Sequence, residues 1–435
     1  MAATQGRCQR FVVLSLLLTL APVAAAAQSN DVIRALAQRE KQPLLDTLKA
    51  LVEIESGTAD VEGVTRIGAV IAERLRALGG SVELVPPAAD RPRITSLPNQ
   101  FADTVVARFR GRGTARILLV AHMDTVYARG MLAQQPFRVD GDRAYGLGIA
   151  DDKHGIAVIL HALTMLKASG VDGYGVITVV MSPDEEVGSL AERDLLTTLG
   201  AEHDAVLSFE GPGQEESIRL ATSGIQLAVL TVTVRASHAG NAPDQGRNAL
   251  YELSHQLLQL RDLSEPARAV KLNWTLASAG SVYNSIPAAA MAIGDMRADD
   301  PDDFKTVEAA IRERIKNRLI PDTSVDVRFE TLFPPMPFRV VSLPLAEHVQ
   351  RLYAEAGGVA KIDRVSIGAG TDAAFAALKT TAPVIEGMGL RNFGAHTNNA
   401  EYVNIASIEP RLYLLTRLIM DIAAGRAGVP APAAR

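Results

Sequence analysis

The sequence predicts an α/β domain on a central sheet, interrupted by a second domain of β-α-β-β-α-β order. Two observations carry this. Apolar, β-branched runs at Arg116–Ala121, at the head of Val176–Ser189 and at Ala205–Phe209 read as buried strands, with helical periodicity between them. From about Thr222 the pattern changes to strands with one wet face alternating with amphipathic helices, and after Pro334-Pro335 the first pattern resumes.

The chain has 435 residues, 48% hydrophobic and 21% charged, enough for two domains and a large core. A net charge of −5 without any basic block argues against nucleic acid as a partner. Arg7 and Arg10 precede the apolar run Phe11–Leu20, followed by Ala21-Pro22-Val23 and alanines to Ala27. That is the layout of a cleaved export signal over residues 1–27, which sends the rest to the periplasm or beyond and leaves no membrane segment. The only cysteine, Cys8, lies inside this signal. Any metal ligands of the mature chain must therefore be His, Asp and Glu.

In order, residues 28–221 open with helical patterns at Asp31–Ile54 and Thr65–Leu78, then strands at Ser81–Val85 and Thr104–Phe109 around a proline-rich loop, Pro86–Pro98. The strand Arg116–Ala121 ends in His122. A hairpin within Pro136–Tyr145 leads to Gly148 and to Asp151-Asp152, which stand at the start of a helix bearing Ile156, Ile159, Leu160, Leu163 and Leu166 on one face. The strand from Val176 ends in Asp184-Glu185-Glu186. A helix at Leu190–Leu199 precedes the strand that ends in Glu210. Residues 222–332 supply strands at Gln226–Arg235, Lys271–Ala277, Ala289–Arg297 and Ser324–Thr331, with helices at Asn248–Leu263 and Phe304–Leu319, the ferredoxin-like order. Residues 333–425 return with a helix at Leu345–Ala356, a strand at Asp363–Ile367, a glycine turn at Gly368–Asp372, a strand at Pro383–Glu386 and a closing helix, Ile408–Ala423. Residues 426–435 read as a flexible tail.

An isolated Asp-Glu-Glu would ordinarily be a solvated loop. Here three buried strands each end in a possible ligand: His122, Glu185 or Glu186, and Glu210. Asp151 and His396 stand at comparable turns. A two-zinc hydrolytic site needs such a set, about four N or O ligands per metal with a carboxylate bridging ions roughly 3.5–4 Å apart. Five ligands leave room for a water, and one of the adjacent glutamates is then free to move a proton.

The strings His122-Met123-Asp124-Thr125-Val126, Gly148-Ile149-Ala150-Asp151-Asp152-Lys153, Asp184-Glu185-Glu186, Ser208-Phe209-Glu210 and His396…Glu401-Tyr402-Val403 resemble those of the zinc-dependent aminoacylase/carboxypeptidase family. Within it the chain most resembles the bacterial glutamate carboxypeptidases of the folate-cleaving type. The resemblance implies a zinc-peptidase-like domain with a mixed central sheet and an inserted dimerisation or lid domain. It implies two zinc ions per subunit, held by His122 and Glu210, by Glu186 and His396, and by a bridging Asp151. It makes Glu185 the acid/base and Asp124 the carboxylate that orients His122. It implies a homodimer in which His238 of Ala236–Gly240 reaches the partner's site, and a substrate carboxylate held by Asn284, Arg297, Gly370 and Thr371. The implied substrate is a small N-acyl or peptidyl amino acid.

Three positions depart from the family pattern. His154 stands where relatives have glycine, Leu332 and Phe333 replace basic residues, and Thr397-Asn398-Asn399 replaces a charged pair. These place a pocket wall around Leu332, Phe333 and His154, implying release of an apolar or aromatic residue as an alternative to glutamate. An aminoacylase or dipeptidase would use the same chemistry. A non-enzymatic peptide-binding protein would have no need of both Glu185 and Glu186.

Overall fold

The computed structural model describes residues 20–366, 368–397 and 400–430, with side chains from residue 30. Most of the expected export signal, and the tail from residue 431, lie outside the described residues. No helix among the described residues is long and apolar enough to cross a membrane.

Helices α1 (Leu20–Val52) and α2 (Val61–Ala77) open the chain, α1 beginning earlier than the periodicity from Asp31 suggests. Asp60 accepts the Gly63 N–H to start α2, whose Val64, Ile67, Ile71 and Leu75 recur at helical spacing on one buried face. Then come β1 (Ser81–Val85), β2 (Thr104–Arg110), β3 (Arg116–His122), α3 (His154–Ala168), β4 (Val176–Ser182), α4 (Arg193–Glu202) and β5 (Ala205–Ser208). The second sheet is built from β6 (Gly224–Thr233), α5 (Ala249–Leu260), β7 (Lys271–Ala279), β8 (Ala289–Ala298), α6 (Pro301–Arg314) and β9 (Ser324–Phe333). The chain then returns through α7 (Leu343–Glu355), α8 (Asp372–Ala377), β10 (Val384–Ile385) and α9 (Ile408–Ala423).

The central sheet has the order β1-β2-β4-β3-β5-β10. It is mixed: β1, β2 and β4 pair antiparallel, whereas β4, β3, β5 and β10 run parallel. Alternation along β3 explains why the run is apolar throughout. Ile117, Leu119 and Ala121 join the core beneath α1, α3 and α9, while Leu118 and Val120 pack with Leu196, Leu199 and the alanines of α8 on the other face. Because β3, β4 and β5 are parallel, their C-terminal ends gather at one edge, where open α/β sheets place ligands.

The second sheet is antiparallel, in the order β7-β8-β6-β9, which is the ferredoxin-like arrangement. Its α5 and α6 bury Leu253, Leu260, Val307 and Ile311 against Ala228, Leu230 and Val232. The two sheets are strapped together by the proline-rich loop, where Thr95 donates its N–H and hydroxyl to Glu330 of β9 at 2.7 and 2.8 Å.

Two expectations need correction. The strand expected at 363–367 lies instead at Lys361–Asp363, in parallel pairing with Ser217–Arg219, which carried no strand signal of its own; Ile367 lies outside the described residues. The tail is anchored as far as Ala427, which is fully buried, with Arg426 paired to Asp421 at 3.1 Å.

Helix α8, which carries the turn nearest the sheet edge, rests on α4 at Gly200. A Cβ there would lie 2.0 Å from the Ala376 carbonyl oxygen. Gly200→Ala is therefore predicted to destabilise the protein by about 1–3 kcal/mol. Chemical denaturation measures this, and an unchanged midpoint would show that α8 can shift freely.

Candidate active site

Five predicted side chains converge at the sheet edge. His122 Nε2 lies 2.9 Å from Asp151 Oδ1 and 3.3 Å from Glu210 Oε1. His396 Nε2 lies 3.1 Å from Asp151 Oδ2 and 3.0 Å from Glu186 Oε2. Asp151 thus belongs to two triads at once, each with its ligand atoms within 4.8 Å of one another. Each triad offers one imidazole and two carboxylates, a donor set suited to a divalent cation.

Asp151 is held from several sides. The turn before it passes through Gly148 at φ 70°, where a Cβ would meet Thr125 Cγ2 at 2.4 Å. Glu401 accepts the Ala150 N–H at 2.7 Å, the Gly148 N–H at 3.2 Å and the Tyr127 hydroxyl. Asn392 Nδ2 donates to the Ala150 carbonyl at 2.8 Å. Behind the turn Lys153 is fully buried, donating to the Ile54 and Leu147 carbonyls at 2.9 and 3.2 Å, and burial brings its pKa down to about 8. The peptide bond between Asp151 and Asp152 is cis.

Asp124 sits beneath His122, its Oδ1 3.3 Å from Nδ1. It also accepts the N–H groups of Glu185 and Glu186 at 3.0 and 3.2 Å and the Thr58 hydroxyl at 2.7 Å. One buried carboxylate therefore fixes both the histidine and the backbone of the two glutamates. Asp184 is buried as well and accepts the Ala191 N–H at 3.0 Å, shaping the turn.

Electrostatically the cluster is crowded. Burial, with neighbouring carboxylates adding to it, raises Glu186 to about 7, Glu210 to about 8 and Glu185 well above the usual carboxylate range. Burial would raise Asp151 too, but hydrogen bonds from His122 and His396 outweigh it and pull its pKa down. Hydrogen bonds to Asp151 and Glu186 raise His396 to about 11. Glu186 Oε1 is buried without a hydrogen-bond partner among the described residues. Dications would stabilise all of these carboxylates in their charged form and take up that free oxygen, so the residues fit such a group. Glu185 belongs to neither triad.

Of the remaining predicted residues, Arg297 lies on the second sheet, Gly370 and Thr371 on the glycine turn, and His238 and Asn284 at a separate short pairing of 237–238 with 285–286. His238 is exposed and accepts the Gly240 and Asn241 N–H groups on Nδ1 at 3.1 and 3.0 Å. Asn284 is brought beside it, because 237–238 pair with 285–286 and the Ala239 N–H donates to the Asn284 carbonyl at 2.9 Å. Among the described residues no hydrogen bond or ion pair joins either to the carboxylate cluster of its own chain. Arg297 holds Asp295 through Nε and Nη2 at 2.9 and 3.1 Å and the Gly368 carbonyl through Nη1 at 2.6 Å. Gly370 and buried Thr371 lead into α8, whose Asp372 accepts the hydroxyls of Ser182 and Ser189. Ser182 is the register partner of His122, so the turn is tied to the edge that carries the cluster.

The expected pocket wall is corrected. His154 is fully buried behind the cluster, where burial holds its pKa down near 3 and Nδ1 accepts the Leu390 N–H at 3.3 Å. Its ring fits only because residue 389 is glycine: a Cβ there would lie 2.1 Å from His154 Cε1. Phe333 also points inward, against Gly370 and the ring of Phe375 at 5.7 Å. Leu332 is partly buried, its carbonyl accepting from Arg193 at 2.8 Å. The open space beside the cluster lies elsewhere. A cavity of about 660 Å³ is lined by Thr58, Val61, Pro98, Val126, Tyr127 and Val187, and by Glu186.

Fold and cluster together define a hydrolase of the metallopeptidase class. The chain belongs to peptidase family M20/M25/M40, whose sequence pattern matches residues 118–421. It is 42% identical over 404 residues to carboxypeptidase G2 of Pseudomonas sp. (strain RS-16), covering 92% of this chain and 95% of that protein. Among solved structures, a dipeptidase of Saccharomyces cerevisiae, Dug1p, superposes with a TM-score of 0.73 at 14% identity, over 91% of this chain and 99% of the other. An M20 metallo-carboxypeptidase of Sulfolobus solfataricus does so with a TM-score of 0.69 at 16% identity, over 88% and 99%. At these identities the two structures speak to the fold.

Glu401, Tyr127 and Thr58 were not foreseen in these roles. Glu401→Ala is predicted to leave the fold intact and to weaken divalent-cation binding about 10- to 100-fold, because the Asp151 turn loses its anchor. Chelator competition measures this, and unaltered affinity would mean that the turn holds its shape alone.

Proposed function

We propose that the protein is an exported di-zinc carboxypeptidase that hydrolyses the amide bond before the C-terminal residue of small N-acyl or peptidyl substrates. The observation that carries the reading is the sharing of Asp151 between two triads, with Glu185 buried beside them and part of neither. Relatedness to carboxypeptidase G2 over nearly the full length supports the carboxypeptidase assignment.

In this reading His122 and Glu210 would hold one zinc and Glu186 and His396 the other, with Asp151 common to both sets. Zinc there would supply Lewis acidity toward the scissile carbonyl and lower the pKa of a water. Glu185 takes a proton from the attacking water and returns it to the leaving amine. Asp124 keeps His122 oriented while fixing the Glu185 backbone, so that proton transfer and ligation stay in register. The largely apolar cavity at Glu186 receives the acyl side of the substrate. The Gly370–Thr371 turn with Arg297, and Asn284, meet the terminal carboxylate. His238 has Nδ1 engaged as an acceptor, which leaves Nε2–H free to donate to an oxyanion in the partner subunit of a homodimer. The export signal expected over residues 1–27 supports a location in the periplasm or outside the cell.

Glu185→Gln is predicted to retain two zinc ions per chain by elemental analysis while kcat falls roughly 100- to 10,000-fold. Wild-type turnover in that variant would remove the acid/base assignment. For the shared site, subunits carrying His238→Ala mixed with subunits carrying Glu185→Gln are expected to regain activity on exchange. Demonstrated exchange without recovery would place His238 outside the partner's chemistry.

A further inference from the structure

A strap of backbone, residues 388–392, crosses from the strand end that carries Glu210 to the turn that carries Asp151. The Met388 N–H donates to the Ser208 carbonyl at 3.1 Å, and the Gly389 N–H to the Glu210 carbonyl at 3.2 Å. The Leu390 N–H donates to His154 Nδ1 at 3.3 Å, on the helix that follows the Asp151 turn. Asn392 then pairs in register with Val403, close to Glu401 in the chain.

Asn392 uses both ends of its side-chain amide. Nδ2 donates to the Ala150 carbonyl at 2.8 Å, and Oδ1 accepts the Gly213 N–H at 2.8 Å. A carbonyl can only accept and a backbone N–H can only donate, so these partners fix which end of the amide is which. Ala150 directly precedes Asp151, and Gly213 closes the loop Glu210-Gly211-Pro212-Gly213. One buried side chain therefore joins the backbones beside two of the ligands. Its place depends on Gly211, where a Cβ would overlap the Asn392 amide. The Asn392 carbonyl accepts Gln214 Nε2 at 2.8 Å, a further tie to the same loop.

The two ligand triads do not depend on this amide equally. Asp151 has Glu401 as a second anchor for its turn, and the backbone of Glu185 and Glu186 is fixed by Asp124. His396 is reached through the backbone pairing of 392–393 with 402–403, in which the amide takes no part. The Glu210 loop, by contrast, is tied to the Asp151 turn through the amide itself. Removing one partner of a buried hydrogen bond leaves the other unsatisfied, so the loop would shift to satisfy it.

We propose that Asn392 is a positioning residue that sets the spacing of Asp151 and Glu210, and thereby the cation affinity of the His122 triad separately from that of the His396 triad. This rests on the two-metal reading and goes beyond it in making the two affinities independently adjustable.

The test follows stepwise release of zinc to a competing chelator from zinc-loaded wild type, Asn392→Asp and Asn392→Ala, with hydrogen exchange of the Gly213 amide alongside. Asn392→Asp keeps the shape and the acceptor for Gly213 but sets an acceptor against the Ala150 carbonyl. Asn392→Ala removes both bonds. Each variant should release one ion about 10- to 100-fold more readily and hold the other within about threefold of wild type. The Gly213 amide should exchange slowly in wild type and in Asn392→Asp, and faster in Asn392→Ala. In crystals equilibrated at limiting zinc, the anomalous peak lost first should be the one at His122 and Glu210. A purely structural role would loosen both ions together. Equal weakening of both ions, unchanged affinity for both, or first loss of the peak at Glu186 and His396 would overturn the assignment while the two-metal reading stands. So would a Gly213 amide that exchanges in wild type as in an unfolded chain, a measurement that needs no variant to fold. If wild type binds fewer than two ions, the two-metal reading falls and the assignment with it.

Discussion

One carboxylate held between two imidazoles organises this molecule. Asp151 lies 2.9 Å from His122 and 3.1 Å from His396, on a turn that no single element could hold. Buried carboxylates repel one another and resist ionisation, so bringing Asp151, Glu185, Glu186 and Glu210 together costs free energy that only positive charge or strong donors can offset. The structure meets that cost locally. Backbone N–H groups and the Tyr127 hydroxyl fix Glu401, Lys153 braces the turn from behind, and Asp124 collects the N–H groups of both glutamates. The parallel core of the central sheet makes this possible, because it delivers three strand ends to one edge while both faces stay covered.

The second sheet meets the first domain through the packing of Ile225, Leu227, Leu332 and Phe333 and through several polar contacts. The proline-rich loop reaches Glu330, Arg297 braces Gly368, and Ser223 ties Ala369. His238 and Asn284 sit together at the short pairing of 237–238 with 285–286, and among the described residues neither has a hydrogen bond or ion pair to its own chain's carboxylate cluster. The proposed role of His238 in a partner's site rests on that separation.

Much of this was legible in the sequence, and the limits have physical causes. The runs around Leu119, Val179 and Leu207 could be read as doubly buried strands, and their parallel direction turns His122, Glu186 and Glu210 into neighbours. The β-α-β-β-α-β order needed only alternation and amphipathicity. The contacts of Glu401 were out of reach, since its partners at Gly148 and Ala150 lie some 250 positions away in the chain. The three-residue pairing of 217–219 with 361–363 is too short to leave a periodic signal. His154 was misplaced because its direction depends on the absence of a side chain at Gly389, a fact about packing rather than spacing. Phe333 was misplaced for a related reason, its ring filling the space left by Gly370.

The central claim is that Asp151 bridges two metal ions. Crystals of the zinc-loaded protein, with anomalous scattering recorded on either side of the zinc edge, test it directly. The account predicts two peaks about 3.5–4 Å apart. One should contact His122 and Glu210, the other Glu186 and His396, and both should contact Asp151. A single peak, or two peaks that do not share Asp151, would contradict it.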